Sequence, residues 1–165
     1  MVIAESPDAA AVSEAESVRR PIASKKRVPP PVRRSRMLSV SGEGRDHDAL
    51  SELLDNHVWQ LVTAANCSEA ILRLRTYRPS VVLCEHSLED GTWINIYDWL
   101  RSARKEVPLI VTSRAADEHM WAEVLNLGGF DVLQKPFREN EVIHTVTSAL
   151  LYGLRRVPGV RAAGG

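Results

Sequence analysis

Three polar side chains stand at the ends of three short apolar runs. Ser80-Val81-Val82-Leu83-Cys84 leads into Glu85, Leu109-Ile110-Val111 leads into Thr112, and Asp131-Val132-Leu133-Gln134 leads into Lys135. If the runs are neighbouring strands, a carboxylate, a hydroxyl and an ammonium meet at one rim. Lys135 can then pair with Glu85, more strongly than at an open surface if the pair is partly buried, and Thr112 can donate to the same carboxylate. Other chemistries find less support. The five histidines, at 47, 57, 86, 119 and 144, show no ligand spacing with Cys or acids, and Cys84 with His86 reads as a strand exit rather than a zinc site. Ser41-Gly42-Glu43-Gly44 has glycines but runs into an acid-rich helix start, which repels a nucleotide phosphate.

The runs need elements to hold them. Ser80 to Glu85, bounded by Pro79 and Gly91, reads as a strand buried on both faces, as inside a parallel sheet. Met37 to Val40, Val58 to Ala64, Pro108 to Thr112 and Asp131 to Gln134 read as further strands. Between them, helical spacing predicts helices over 46–56, 68–77, 93–104, 116–127 and 139–152. The first would bury Leu50, Leu53 and Leu54. The second would bury Ala70, Ile71 and Leu74, and the third either Ile94, Tyr97 and Leu100 or Ile96 and Leu100. Gly128-Gly129 ends the fourth. Strand and helix alternate with short connections, which predicts an α/β, doubly wound, five-stranded parallel sheet with helices on both faces and right-handed crossovers. The natural order is 2-1-3-4-5, the flavodoxin-like arrangement, with its switch point beside strands 1 and 3. Val40, Glu85 and Thr112 then end at one rim.

The chain has 165 residues and no formal net charge, but the charge is unevenly spread. Residues 1–36 hold eight Lys or Arg and four acids, the last eleven hold three Arg and no acid, and the stretch between is acidic by seven. Residues 1–36, with basic pairs among Pro21, Pro29, Pro30 and Pro31, read as a disordered basic arm, 37–154 as the folded domain and 155–165 as a flexible tail. The arm could touch an acidic partner, but no aromatics are interleaved with its cations, so nucleic acid is not the expected partner. No stretch approaches the roughly 18 apolar residues that cross a bilayer, and Glu5 and Asp8 occupy the start where a secretory signal would be basic and then apolar. The expected setting is cytoplasmic, with no membrane contact. Cys67 and Cys84 are then small core residues rather than a disulfide. Trp93, Trp99 and Trp121 read as core or helix-surface residues that would mark a docking patch if exposed on one face.

From Arg36 to Tyr152 the order of elements and several motifs resemble the receiver domains of two-component response regulators, the CheY-like fold. Glu85 falls where that family has its phosphoaccepting Asp, and Leu88-Glu89-Asp90-Gly91 is similar to the Leu-Pro-Asp-Gly turn that follows it. Thr112 falls on the switch Thr or Ser, and Gly128-Gly129-Phe130-Asp131 resembles the Gly-Ala-Asp-Asp segment. Lys135-Pro136-Phe137 matches the family's Lys-Pro-Phe. The departures matter as much. The acid pair that helps to hold Mg²⁺ is replaced by Ser41 and Gly42, with Glu43 one residue further on, and the aromatic switch position is Val132. The resemblance therefore implies a degenerate receiver, or pseudo-receiver. It is expected to have no cofactor, no metal site and no enzymatic activity, and to act by phosphorylation-independent binding to a partner. That partner is a histidine kinase or another signalling protein, or a second copy through the fourth helix, fifth strand and fifth helix. Two alternatives stand beside this: an orthodox receiver phosphorylated elsewhere, as on Asp90, by a histidine kinase, and a regulator that contacts nucleic acid through its basic arm.

Overall fold

The computed structural model describes residues 34–55 and 59–156. In chain order the elements are β1 (Ser35–Val40), α1 (Gly44–Leu54), β2 (Trp59–Ala64), α2 (Cys67–Tyr77), β3 (Val81–Glu85), β4 (Ser87–Leu88), β5 (Gly91–Thr92), α3 (Trp93–Ser102), β6 (Leu109–Ser113), α4 (Glu118–Leu127), β7 (Asp131–Gln134) and α5 (Glu139–Arg156). Five strands form one parallel sheet in the order β2-β1-β3-β6-β7, the doubly wound arrangement read from the sequence. The added feature is a hairpin, β4 against β5, in the segment expected to be a plain loop.

The sheet is covered on both faces, and strand alternation decides which residues go where. Leu38, Val40, Val82, Cys84, Leu109, Val111 and Val132 pack on one face with residues of α2, α3 and α4. Met37, Val81, Leu83, Ile110 and Leu133 pack on the other with Leu50 and Leu54 of α1 and Val142, Val146 and Ala149 of α5. Stepping by two from this second set reaches Ser41, Glu85, Thr112 and Lys135. All four therefore leave the sheet on the side where α1 and α5 lie, at the carboxyl ends of their strands.

Several boundaries differ from the reading of the sequence. β1 begins at Ser35, so residues 35 and 36 belong to the sheet rather than to an arm. Arg36 is tied in by its guanidinium, which donates to Gln60 Oε1 at 3.2 Å and to the Tyr77 carbonyl at 2.9 Å. α5 continues through Arg156, two residues into the expected tail. The expected arm over 1–33, the tail over 157–165, and Asn56, His57 and Val58 lie outside the described residues. α3 buries Trp93, Ile96 and Leu100, which corrects the alternative stripe through Ile94 and Tyr97. A Trp at the first helical position fills the space under the sheet that a smaller residue would leave open. Trp121 is 47% exposed on α4. Among the described residues no helix is long and apolar enough to cross a membrane.

Candidate functional site

Glu85 is the last residue of β3 and is paired in register with Thr112 of β6. Lys135 follows β7, with its amide donating to the Ser113 carbonyl at 2.9 Å and a cis bond to Pro136. The lysine is only 5% exposed. Its ammonium donates to Glu85 Oε1 at 2.9 Å, as the strand-end reading expects, and also to Asp46 Oδ2. Asp46 is the site residue that the sequence reading missed. It sits in the first turn of α1 and is 8% exposed. A signal was there to find: Asp46, Leu50 and Leu54 lie four residues apart along one buried stripe of α1. An acid in an apolar stripe needs a buried cation, and Lys135 is that cation.

The turn from β1 into α1 closes the other side. Ser41 Oγ lies 2.6 Å from Asp46 Oδ2 and 3.1 Å from Glu85 Oε2, and accepts from the Glu43 amide at 3.1 Å. The hydroxyl has one proton, and the shorter distance places it toward Asp46. The Gly42 amide donates to Glu85 Oε2 at 3.3 Å. Behind the turn, His47 Nε2 lies 3.2 Å from the Ser41 carbonyl and Nδ1 lies 2.9 Å from Ser39 Oγ. A carbonyl only accepts, so Nε2 carries the proton of that contact and the imidazole pins the turn to β1. Across the mouth, Glu43 Oε2 accepts from Arg45 at 2.9 Å and from Arg114 of the β6–α4 loop at 2.5 Å. These two guanidiniums hold the Glu43 carboxyl below the usual range.

The sequence-predicted residues separate into those that meet and those that do not. Glu85, Lys135, Ser41 and Gly42 share one hydrogen-bonded cluster. Thr112 is buried and paired in register with Glu85, but among the described residues the hydrogen-bond partners of the Glu85 carboxylate are Lys135, Ser41 and Gly42. Val132 packs in the core with α2, α3 and α4. Asp90 lies apart: its carboxylate accepts from the amides of Cys67 at 2.7 Å and Ser68 at 2.9 Å and from Ser68 Oγ at 2.8 Å, so it caps the start of α2. Led by the Ser68 amide, these bonds lower its pKa to about 2. Both cysteines are free and buried; burial and the nearby Asp90 carboxylate push the Cys67 thiol up to about 11, and burial raises the Cys84 thiol as well.

Electrostatically the cluster is one ammonium shared by two carboxylates. Burial pushes the Asp46 carboxyl up, but the bonds from Lys135 and Ser41 outweigh it and hold the pKa below the ordinary value. Burial likewise pulls the Lys135 ammonium down, and its bonds to Asp46 and Glu85 more than restore it. Both groups are therefore charged near neutral pH. Among the described residues no group of three His, Cys, Asp or Glu side chains is placed to hold a metal ion.

With this geometry in hand, likeness to known proteins is decisive. The family model described as the response regulator receiver domain matches residues 46–147. The chain belongs to that family. The Probable transcriptional regulatory protein TcrX of Mycobacterium tuberculosis is 36% identical over 108 residues, covering 65% of this chain and 46% of the relative. The transcriptional regulatory protein DpiA of Escherichia coli is 28% identical over 88 residues, covering 53% of this chain and 39% of the relative. The chain thus spans less than half the length of these relatives. Among solved structures, a two-component response regulator from Clostridium difficile has a TM-score of 0.64 at 22% identity, covering 76% of this chain and 99% of that one. The signal receiver domain of a Luxo repressor protein from Vibrio parahaemolyticus has a TM-score of 0.69 at 16% identity, covering 74% and 94%. At those identities the structures establish the fold, and the family model establishes the domain: a receiver of two-component response regulators.

Proposed function

We propose that this receiver is a pseudo-receiver whose rim is set by a standing ion cluster, and that it signals by binding a partner without being phosphorylated. The observation that carries this is the double engagement of Lys135, which bonds Glu85 and Asp46 inside a rim that leaves it 5% exposed. Glu85 occupies the position of the phosphoacceptor and holds the lysine as a phosphoryl oxygen would, with one negative charge where phosphorylation brings nearly two. The residues do not fit Mg²⁺. A hard dication wants several oxygen ligands with uncommitted charge, whereas the two carboxylates here already share an ammonium, and Ser41 and Gly42 supply no third. Asp90, the alternative acceptor, is taken up in capping α2. The partner is a signalling protein or a second copy. The proposed contact surface is α4, β7 and α5, where Trp121 and Leu125 stand exposed along α4 and Leu151 and Leu154 along α5. DpiA and TcrX are named transcriptional regulators, and that supports a partner that acts on transcription; we assign the chain itself no direct DNA readout at the rim.

The test is direct. The protein is incubated with acetyl phosphate and Mg²⁺ and weighed intact by mass spectrometry. No phosphoryl adduct is expected, and tryptophan fluorescence should show no saturation at low millimolar Mg²⁺. An adduct that survives in Glu85→Gln but disappears in Asp90→Asn would establish the orthodox alternative and overturn the proposal.

A further inference from the structure

Little holds α4 to the body of the domain. Of its ten residues only Val124 is buried, while α1, α2 and α3 bury three each and α5 buries four. Met120 meets the core from a half-buried position, and Trp121, Leu125 and Leu127 stand exposed. Packing of a buried face is what fixes a helix in a protein, and an element with few buried apolar contacts is among the first to open. The seat of Val124 also carries a cost. A Cβ added at Gly129 would stand 2.4 Å from Val124 Cγ1 and 3.6 Å from Trp93 Cζ3, so the tryptophan ring lies beside the end of α4. Trp93 is fully buried, yet its indole Nε1 has no hydrogen-bond partner among the described residues. A buried donor left unpaired disfavours the closed arrangement relative to one that admits water.

At its other end the helix is fastened by charge. Arg114, in the loop between β6 and α4, donates to Glu43 Oε2 at 2.5 Å across 71 residues of chain. Among the described residues every other hydrogen bond of the segment 114–127 is local. The Ala115 amide reaches Ser113 Oγ at 3.1 Å, the Met120 amide reaches the Asp117 side chain at 2.8 Å, and the rest are turns of the helix and of its cap at Gly128. Glu43 is held in turn by Arg45, two residues on, at 2.9 Å. It stands on the turn whose Ser41 and Gly42 reach the Glu85 carboxylate.

We infer that the Glu43–Arg114 pair is a latch that fastens α4 to the Glu85 rim, and that releasing it loosens α4 as a unit while the sheet stays closed. Glu43 and Arg114 act as positioning residues. They join the turn beside the ion cluster to the helix that presents Trp121 and Leu125. An exposed pair adds little to the stability of a whole domain, but this one bears on the helix with the fewest buried residues, where a small free energy sets how often it opens. The latch goes beyond the reading of Glu85: it lies outside the Lys135 cluster and holds whether or not Glu85 takes the place of a phosphorylated residue. Measurements on the protein alone therefore test it apart from phosphorylation and from any partner.

Hydrogen exchange of the full chain, read by mass spectrometry on peptides from α4 and from β3 and β6, tests this in Glu43→Gln, Arg114→Gln and the double variant. Each single change should speed exchange in α4 about three- to fivefold, the size expected of one exposed ion pair, with β3 and β6 as slow as in the parent. The double variant should be no faster than either single one, because all three lack the same interaction. Arg45→Gln should leave α4 unchanged, since its bond to Glu43 spans only two residues of chain. The inference is overturned if α4 in either single variant exchanges like the parent, if β3 and β6 speed up by the same factor, if the single effects add in full, or if Arg45→Gln loosens α4 as much.

Discussion

Replacing Asp46 by Asn removes one charge from the rim and almost no volume. At 2.9 Å, the attraction of Lys135 for Glu85 is about 6 kcal/mol with an effective dielectric constant of about 20. Burying the ammonium costs several kcal/mol, so one carboxylate roughly balances the burial and the second makes the arrangement favourable. The Asn oxygen can still accept from Ser41 and Lys135, which limits the damage. We expect Asp46→Asn to cost about 2–3 kcal/mol, below the ~3–5 kcal/mol of a buried pair broken without compensation. At about 4 °C per kcal/mol for a domain of this size, the melting temperature falls by roughly 8–12 °C. Glu85→Gln should cost less, about 1–2 kcal/mol, because its side chain is 22% exposed and water can replace its partners. Lys135→Met should cost most, since it leaves two carboxylates facing each other, and mild acid should then partly restore stability by protonating one. Thermal and urea melts of the three variants at neutral pH and physiological salt give the ranking. If Asp46→Asn lies within about 0.5 kcal/mol of the parent, as surface changes do, or if Glu85→Gln is the costlier of the two, the shared-ammonium account is wrong.

Stability should also follow pH with a definite shape. Asp46 and Asp90 have lowered pKa values, so their contribution is present above the ordinary value of 3.8 and lost as pH falls below it, for Asp90 as pH falls through about 2. Lys135 has a raised pKa, so its contribution is full below 10.5 and lost as pH rises beyond it; a melt series that peaks sharply near neutrality instead of staying level between these limits would contradict the assignment. Asp90→Ala should cost about 1–2 kcal/mol, as the loss of a helix cap does, and should speed hydrogen exchange of the Cys67 and Ser68 amides while leaving the alkaline limb unchanged. Gly128→Ala should cost more than 1 kcal/mol from positive φ alone. The added clash with Tyr97 Oη at 1.9 Å predicts that Tyr97→Phe recovers part of that loss in a double-mutant cycle, and full additivity would show that the hydroxyl is not in the way.

The sequence by itself determined the sheet, its strand order and the meeting of Glu85 with Lys135. Those follow from local signals: apolar runs of strand length, helical stripes such as Ala70 with Leu74, and polar residues just past the strand ends. The β4–β5 hairpin was not legible, because two-residue strands have too little pattern to read. Asp46 was half legible. Its place in the stripe with Leu50 and Leu54 could be read from spacing, but its partner could not, since Lys135 lies 89 residues away in the chain. Tertiary structure decided that partnership by laying α1 on the face toward which Ser41, Glu85 and Lys135 leave their strands. Thr112 stands in the expected register beside Glu85, while the carboxylate takes its hydrogen bonds from Lys135, Ser41 and Gly42. Hydrophobic pattern records which face of an element is buried. What that face meets depends on how separate elements pack, and a buried charge settles only where packing brings its counter-charge within hydrogen-bond reach.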